Sequence, residues 1–169
     1  MQEEKVLLHA TLCFPVSNTR VLLGVKTKKI GAERRNGWGG GIDPGETALE
    51  CIMREVYEEG RVRAGPRDFE KVAVVDFTNH MTDGGIFVCR VHTYLLHRWD
   101  GEFQTTAEMT DPQWFEKQNL PLDEMMPADR IWVPPLMAGK KLYAQASYGP
   151  FQKTLLGEVK IKYLDQLAA

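Results

Sequence analysis

The stretch from Gly40 to Val62 is GGIDPGETALECIMREVYEEGRV. Its first part is dense in glycine, proline and aspartate, which favour tight turns and close approach of the backbone to a ligand. Its second part begins at Thr47, a good N-cap residue, and Glu50 completes a capping box three residues later. Apolar residues then recur at helical spacing, so this part predicts an amphipathic helix with a buried stripe formed by Leu49, Ile52, Met53 and Val56.

Three carboxylates lie on one face of this predicted helix. Glu55, Glu58 and Glu59 stand at positions i, i+3 and i+4, where like charges repel by a few tenths of a kcal/mol per pair (about 0.2–0.5). A hard divalent cation would offset that repulsion, because Mg²⁺ prefers oxygen ligands and shares them with substrate phosphates. The carbonyl of Gly40 is a candidate further ligand. The alternative interpretation is a solvated acidic helix face.

The full string resembles the signature of the Nudix (MutT-type) family. The signature is a Gly, five residues, a Glu, seven residues and then an Arg-Glu pair, and the matching positions here are Gly40, Glu46, Arg54 and Glu55. The resemblance implies an α+β fold of the α/β/α sandwich type, with a mixed β-sheet between helices. It also implies a hydrolase that cleaves a nucleoside diphosphate linked to another group. We expect Arg54 to orient a signature carboxylate and Glu46 to tie the loop to the helix.

One position departs from that signature. The last signature glycine is replaced by Arg61, and Gly60 stands one residue early. A glycine there normally closes the helix in a left-handed conformation. Either the helix ends one residue sooner at Gly60, or Arg61 adopts a strained backbone. Neither alternative moves the three carboxylates.

Length and composition restrict the class of protein. The chain has 169 residues, and we expect residues 1–169 to form a single domain. Its 21 Lys and Arg residues against 23 Asp and Glu residues give a formal net charge of -2, so no basic field invites duplex nucleic acid. The three cysteines form no C-x-x-C pair. With neither a signal peptide nor a membrane-spanning run recognised, we expect a cytoplasmic monomer that does not bind membranes.

The remaining sequence predicts strands before and after the helix. Apolar and β-branched runs indicate strands at residues 6–14, 21–25, 69–77, 86–96, 114–115, 141–148 and 154–163. A second helix is predicted within residues 132–138, beginning at Pro134 and Pro135. Residues 120–128 carry Pro121 and Pro127 and are predicted to be irregular or a broken helix. The basic cluster from Lys26 to Arg35 has the alternative interpretation of a solvated loop, while its position before the glycine loop favours a phosphate contact by at least Lys26.

Outside the signature, several segments resemble the oxidised purine nucleoside triphosphatases of the family. They are residues 20–26, 31–40, 114–115, 126–134 and 140–148. The resemblance implies that Asn36 and Asp129 read the base, although an Asn-Gly pair is also a common turn. Ala128 replaces a second base-reading Asp, and Met126 replaces a Trp that stacks on the base. Each loss is worth about 1–3 kcal/mol, so oxidised-guanine recognition is a hypothesis.

The same resemblance implies further contacts with the substrate. Lys26 matches a lysine on the phosphate side, while Ile30 and Cys89 replace larger residues and predict a wider pocket. The expected pocket walls are Thr11, Phe77, Trp132 and Tyr148. For Phe77 and Trp132 the alternative is a purely structural place in the core.

The predicted reaction is the hydrolysis of a nucleoside triphosphate to the monophosphate and pyrophosphate. Glu55, Glu58 and Glu59 are the predicted metal ligands for Mg²⁺, with Mn²⁺ as a substitute, and either Glu55 or Glu108 is the predicted base. Alternative substrates are ADP-ribose, dinucleotide polyphosphates and ordinary nucleoside triphosphates. A nucleotide-sensing domain without turnover is the alternative from another class, but such domains usually lose signature carboxylates that are all present here.

Overall fold

The computed structural model describes residues 6–168. Within that range the strands are β1 His9–Pro15, β2 Arg20–Lys26, β3 Arg35–Asn36, β4 Phe69–His80, β5 Ile86–Leu96, β6 Met109–Glu116, β7 Lys141–Tyr148 and β8 Lys160–Leu164. The α-helices are α1 Ala48–Gly60 and α2 Asp129–Met137. Short 3₁₀ helices span Pro66–Asp68, Leu122–Glu124 and Pro150–Gln152.

The strands form two sheets. The larger sheet has the order β1-β5-β4-β7-β8 and is mixed, because β1 pairs with β5 and β4 with β7 in parallel, while β4–β5 and β7–β8 are antiparallel. The smaller sheet has the order β3-β2-β6 and is antiparallel. Isolated bridges between Ala10 and Gly41 and between Cys13 and Trp38 connect β1 to the glycine-rich segment after β3.

The two helices cover opposite faces of the larger sheet. Side chains alternate between faces along a strand, and Cys13 of β1 pairs with Tyr94 of β5 on the face that packs against α1. Val75 of β4 lies on the other face, in a core cluster that includes Trp132 of α2. The predicted mixed sheet between helices, an α/β/α sandwich, is therefore confirmed.

Helix α1 begins and ends as its local sequence dictates. The amide of Glu50 donates to Thr47 Oγ1 at 3.1 Å and the amide of Thr47 donates to Glu50 Oε1 at 3.0 Å, which completes the capping box. Gly60 is the last helical residue, and Arg61 follows in the left-handed region at φ 64°. Of the two alternatives for this end, Arg61 takes the strained backbone, and its amide donates to Tyr57 O at 2.9 Å.

Some elements have bounds that differ from the prediction, and one strand was not predicted. Helix α2 begins at Asp129, not at Pro134, and carries two prolines in its interior. Burial of Trp132 and Leu136 in the core outweighs the backbone hydrogen bonds that prolines cannot donate. The last strand starts at Lys160 rather than at residue 154, and Arg35–Asn36 forms the short strand β3 that we interpreted as a loop.

The predicted segments elsewhere lie near their observed positions. Strand β6 is longer than the two residues predicted, because it pairs with β2 over most of its length. Residues 120–128 contain a single 3₁₀ turn and are otherwise irregular, as predicted. Between residues 6 and 168, no helix is long and apolar enough to cross a membrane. A single domain over residues 1–169 reaches beyond the described range and stays a prediction.

Candidate active site

The glycine-rich loop lies against strand β1 at close range. The amide of Thr11 donates to Gly40 O at 2.8 Å, and the Thr11 hydroxyl donates to the same carbonyl at 3.2 Å. A Cβ atom at Gly39 would overlap the carbonyl oxygen of Thr11, and one at Gly40 would lie 2.5 Å from Glu55 Oε1. Glycine is required at both positions because the backbone packs directly on the strand and on a carboxylate.

Arg54 is the centre of the charged network on α1. Its Nε and Nη2 donate to the two carboxylate oxygens of Glu46, both at 2.8 Å, which joins the helix to the loop. Its Nη1 donates to Glu55 Oε1 at 2.9 Å and to Glu58 Oε2 at 3.1 Å, and Nη2 also donates to Gly41 O at 3.2 Å. Arg54 lowers the pKa of Glu46 to about 2. These are the contacts expected of a side chain that positions carboxylates.

The three signature carboxylates differ in exposure. Glu55 is only 7% exposed, and Glu59 is half-buried. Burial, together with a hydrogen bond to Glu55 and the negative charge of Glu55, raises the pKa of Glu59 to about 8. Glu58 is different, because it lies at the surface against Arg54.

The donor set fits a hard divalent cation by its chemistry. A cation beside these carboxyl groups would favour their charged forms, and carboxylate oxygens are the ligands that such cations prefer. In the part of the chain that the structure describes, no group of three or more His, Cys, Asp or Glu side chains is arranged to hold a metal ion. Arg54 takes one oxygen of Glu55 and one oxygen of Glu58, so the second oxygen of each and the carboxyl group of Glu59 are the donors that fit, while the Gly40 carbonyl accepts from Thr11.

Lys26 connects this carboxylate cluster to the rest of the site. Its Nζ donates to Ile30 O at 2.6 Å. Burial lowers the pKa of Lys26, while the negative charges of Glu59, Glu108 and Asp129 act in the opposite direction. Lys26 thus lies near acidic groups on both sides. Glu108 lies in the bend before β6, and its Oε1 is 3.8 Å from Lys28 Nζ.

A second polar cluster lies at the start of α2. Trp132 Nε1 donates to Asp129 Oδ1 at 3.0 Å, and the amide of Ala128 donates to the hydroxyl of Tyr148 at 2.8 Å. The rings of Phe77 and Tyr148 are stacked with centroids 6.0 Å apart. Burial raises the pKa of Asp129 to about 7. Four of the predicted substrate-binding residues therefore lie together, although each is almost fully buried.

Thr11 and Asn36, two further predicted substrate contacts, make other hydrogen bonds in the structure. Thr11 is on the α1 face of the sheet, next to Gly40 and Cys51, so the structure does not bring it together with Phe77 and Tyr148. Asn36 is half-buried on β3, and its Oδ1 accepts from the amide of Gly37 at 2.8 Å. That hydrogen bond is the turn contact we considered as its alternative role.

Arg35 occupies a place that the sequence did not predict. It is 5% exposed, donates to Leu23 O at 3.2 Å and pairs with Asp111 Oδ2 at 2.7 Å, so it is not part of a solvated loop. Its contacts join β3 to β2 and β6 and thereby hold the neighbouring Asn36. A basic residue in a charged run carries no local signal for such burial.

A cleft of about 270 Å³ opens beside the second polar cluster. Ile30 and Met126 line it and also pack on the core that contains Trp132 and Tyr148. The sequence predicted Ile30 and Met126 in a base pocket, but it did not single out the residues after β7 that form the opposite part of the cleft.

Comparison with known proteins identifies the family. A sequence model described as the NUDIX domain matches residues 7–136, which include the glycine loop, α1 and the start of α2. The chain belongs to the Nudix family. The predicted resemblance and the predicted fold are thus confirmed.

Two relatives show which Nudix proteins this chain resembles in sequence. The chain is 33% identical over 133 residues to the oxidized purine nucleoside triphosphate hydrolase of Danio rerio, which covers 79% of this chain and 81% of that protein. It is 33% identical over 131 residues to the mouse protein of the same name, covering 78% and 80%.

Solved Nudix structures share the fold at lower identity. A MutT protein from Bacillus halodurans superimposes with a TM-score of 0.73 over 92% of this chain and 97% of its own, at 22% identity. A MutT Nudix hydrolase from Burkholderia pseudomallei gives a TM-score of 0.62 over 76% and 97%, at 23% identity. At these identities the likeness concerns the fold.

Proposed function

We propose that this Nudix protein hydrolyses oxidised purine nucleoside triphosphates to the monophosphate and pyrophosphate, with Mg²⁺ as its cofactor. The observation that carries the proposal is the carboxylate face of α1, where Arg54 holds the buried Glu55 beside the glycine loop and the half-buried Glu59 lies one helical turn further along. The zebrafish and mouse relatives, which are named for that hydrolysis, support the choice of substrate.

The chain's own residues have separable roles in this proposal. Glu55, Glu58 and Glu59 would hold the cation, and Lys26, which lies within the field of Glu59 and Glu108, would meet the phosphate chain. Arg54 positions Glu55 and Glu58 and leaves no free carboxylate oxygen on Glu46. Bound Mg²⁺ neutralises phosphate charge and lowers the pKa of a bound water. Glu55 or Glu108 would accept the proton of the attacking water, and the bond between the α- and β-phosphates breaks.

The base side of the site, at the start of α2, determines how a purine would be recognised. Asp129 has a pKa near neutrality, so it presents either a donor or an acceptor to a base edge. Ala128 and Met126 provide no carboxylate and no aromatic ring at their positions. Selectivity for an oxidised base would therefore come from fewer polar contacts than the resemblance implies.

We also propose that the protein acts as a monomer in the cytoplasm on small nucleotides. Its formal net charge of -2 supports a substrate that is bound by a local metal and a few cations rather than by a basic surface.

A panel of nucleotides assayed with Mg²⁺ tests the proposal. It contains normal, oxidised and methylated purine nucleoside triphosphates, ADP-ribose and a dinucleotide polyphosphate, and it scores pyrophosphate and monophosphate release. We expect oxidised dGTP to be cleaved with a higher kcat/KM than dGTP. Equal cleavage of the two would remove oxidised-base selectivity while keeping the hydrolase. No cleavage of any compound would favour a nucleotide sensor.

A further inference from the structure

Three separate connections of the chain converge on the 270 Å³ cleft. The β2–β3 connection contributes Ile30, the segment before α2 contributes Met126, and the β7–β8 connection contributes Phe151. These apolar side chains stand beside the cationic Lys29, Arg34 and Lys153, and among residues 6–168 no acidic residue lines the cleft. An open cleft that combines apolar side chains with cations suits a flat aromatic group that carries negative charge nearby.

Phe151 is held in place at a conformational cost. Phe151 and Gln152 have φ values of 56° and 55°, in the left-handed region, which costs roughly 1–2 kcal/mol for each non-glycine residue. Gln152 Nε2 donates to Asn79 Oδ1 at 2.7 Å, and Asn79 Nδ2 donates to Phe77 O at 3.0 Å. The strained turn is therefore anchored to buried strand β4, and its aromatic side chain is preorganised beside the cleft.

The cleft adjoins the carboxylate end of the site, which is formed by the glycine loop and α1. A Cβ atom built on Gly31 would lie 3.7 Å from Lys26 Cδ on one side and 3.7 Å from Met126 Sδ on the other. Lys26 Nζ donates to the carbonyl of Ile30, which lines the cleft, at 2.6 Å. A group in the cleft would therefore lie beside the lysine that is proposed to meet the phosphate chain.

We propose that Phe151 is the residue on which the substrate's base stacks, and that it sets specificity for a purine. The inference rests on the proposed function, because it places the nucleoside half of the same substrate. The base enters between Phe151 and the Ile30–Met126 wall, and the phosphates extend past Lys26. The rim cations Lys29, Arg34 and Lys153 face the sugar and phosphate side.

Equilibrium binding of a purine nucleoside monophosphate tests this proposal without any turnover. Isothermal titration compares the native protein with Phe151→Leu, which keeps an apolar side chain, and with Phe151→Trp, which keeps a stacking surface. Stacking on a base is worth about 1–3 kcal/mol, so we expect Phe151→Leu to weaken binding by about tenfold or more, and Phe151→Trp to retain it. Leu156→Ala is the matched control, because Leu156 is 42% exposed in the same connection and does not line the cleft.

A base-free competitor separates stacking from a structural role. Ribose 5-phosphate carries the sugar and phosphate without the base, so its affinity should change less than about twofold in Phe151→Leu. If both ligands weaken equally, or if neither weakens, Phe151 is not the stacking residue and the proposal is wrong. Failure of the native protein to bind the monophosphate would also overturn it.

Hydrolysis of the nucleotide panel tests the proposed function separately. If the native protein cleaves the triphosphates and Phe151→Leu retains the native KM, the hydrolase stands and the stacking proposal falls. If binding depends on Phe151 but no nucleotide is cleaved, the base site stands and the hydrolase proposal falls. Thermal unfolding of each variant shows whether the strained turn is intact, and Phe151→Trp provides the test if Phe151→Leu does not fold.

Discussion

The carboxylate end and the base side of this site are built in different ways. The carboxylate end, formed by the glycine loop and α1, comes from one continuous stretch, in which Arg54 joins Glu46, Glu55 and Glu58 over 13 residues of sequence. The base side draws on several distant segments, and its polar groups at Asp129 and Tyr148 are buried in the apolar core. One end is a local charged network, and the other is a product of packing.

This difference separates the residues that determine the reaction from the residues that determine which base is bound. Local spacing on one helix suffices to gather carboxylates, so the reaction can be recognised without knowing the fold. The base side depends on which connections meet, and substitutions there change the shape of the cleft while leaving the carboxylates in place. Met126 and Phe151 are examples, because both line the cleft and neither contacts the network around Arg54.

The largest expected effect is at the carboxylate end. Glu59→Gln preserves size but removes a charge that the cation needs, so we expect kcat to fall by about 10³-fold. Stability should not fall, because the buried carboxyl group that prefers to be protonated is replaced by a neutral amide. Pyrophosphate release with Mg²⁺ measures the effect. Glu102→Gln, at an exposed position, is the control, and activity within about tenfold of native in Glu59→Gln would remove α1 from the mechanism.

An intermediate effect is expected at the base side, on stability rather than on chemistry. Asp129 has a pKa of about 7 in the fold and about 3.9 in an unfolded chain, so folding favours its protonated form. Its contribution is therefore neutral below about pH 4 and becomes increasingly destabilising as the pH rises to about 7.

Asp129→Asn should remove this dependence on pH. The free energy of unfolding of the variant, relative to native, should rise by about 2–3 kcal/mol between pH 5 and pH 8, measured by urea denaturation. The asparagine oxygen can still accept from Trp132 Nε1. Asp165→Asn, at an exposed position, should show no such change. A difference that does not vary with pH would mean that Asp129 is charged throughout this range.

The smallest expected effect is at the end of α1. Arg61 has φ 64°, so Arg61→Gly should stabilise the protein by about 1 kcal/mol relative to Arg61→Ala, which loses the same side chain but keeps the strain. Denaturant unfolding of the two variants measures the difference. Hydrolysis should be unchanged, because Glu55 and Glu59 precede the cap. A drop in activity in Arg61→Gly alone would show that the strained end also positions the carboxylates.

Much of the fold was predictable because its signals are local. The capping box at Thr47, the apolar stripe of α1 and the β-branched strands lie within short windows, and each was predicted close to its observed place. The start of α2 was not predictable, because Pro134 and Pro135 favour a helix boundary and only the burial of Trp132 overrides them. The burial of Arg35 was not predictable either, because its partner Asp111 is 76 residues away and no short window of sequence shows this pairing.

By itself the sequence determined the family, the carboxylate face of α1 and the glycine positions that let the loop approach it. These features depend on spacing within one turn of helix and on residues that have no Cβ. Only the tertiary structure decided how Asp129, Tyr148 and Phe151 are placed, and that Thr11 lies on the opposite face of the sheet. Contacts between distant segments depend on packing against a shared core, and no short window of residues encodes that packing.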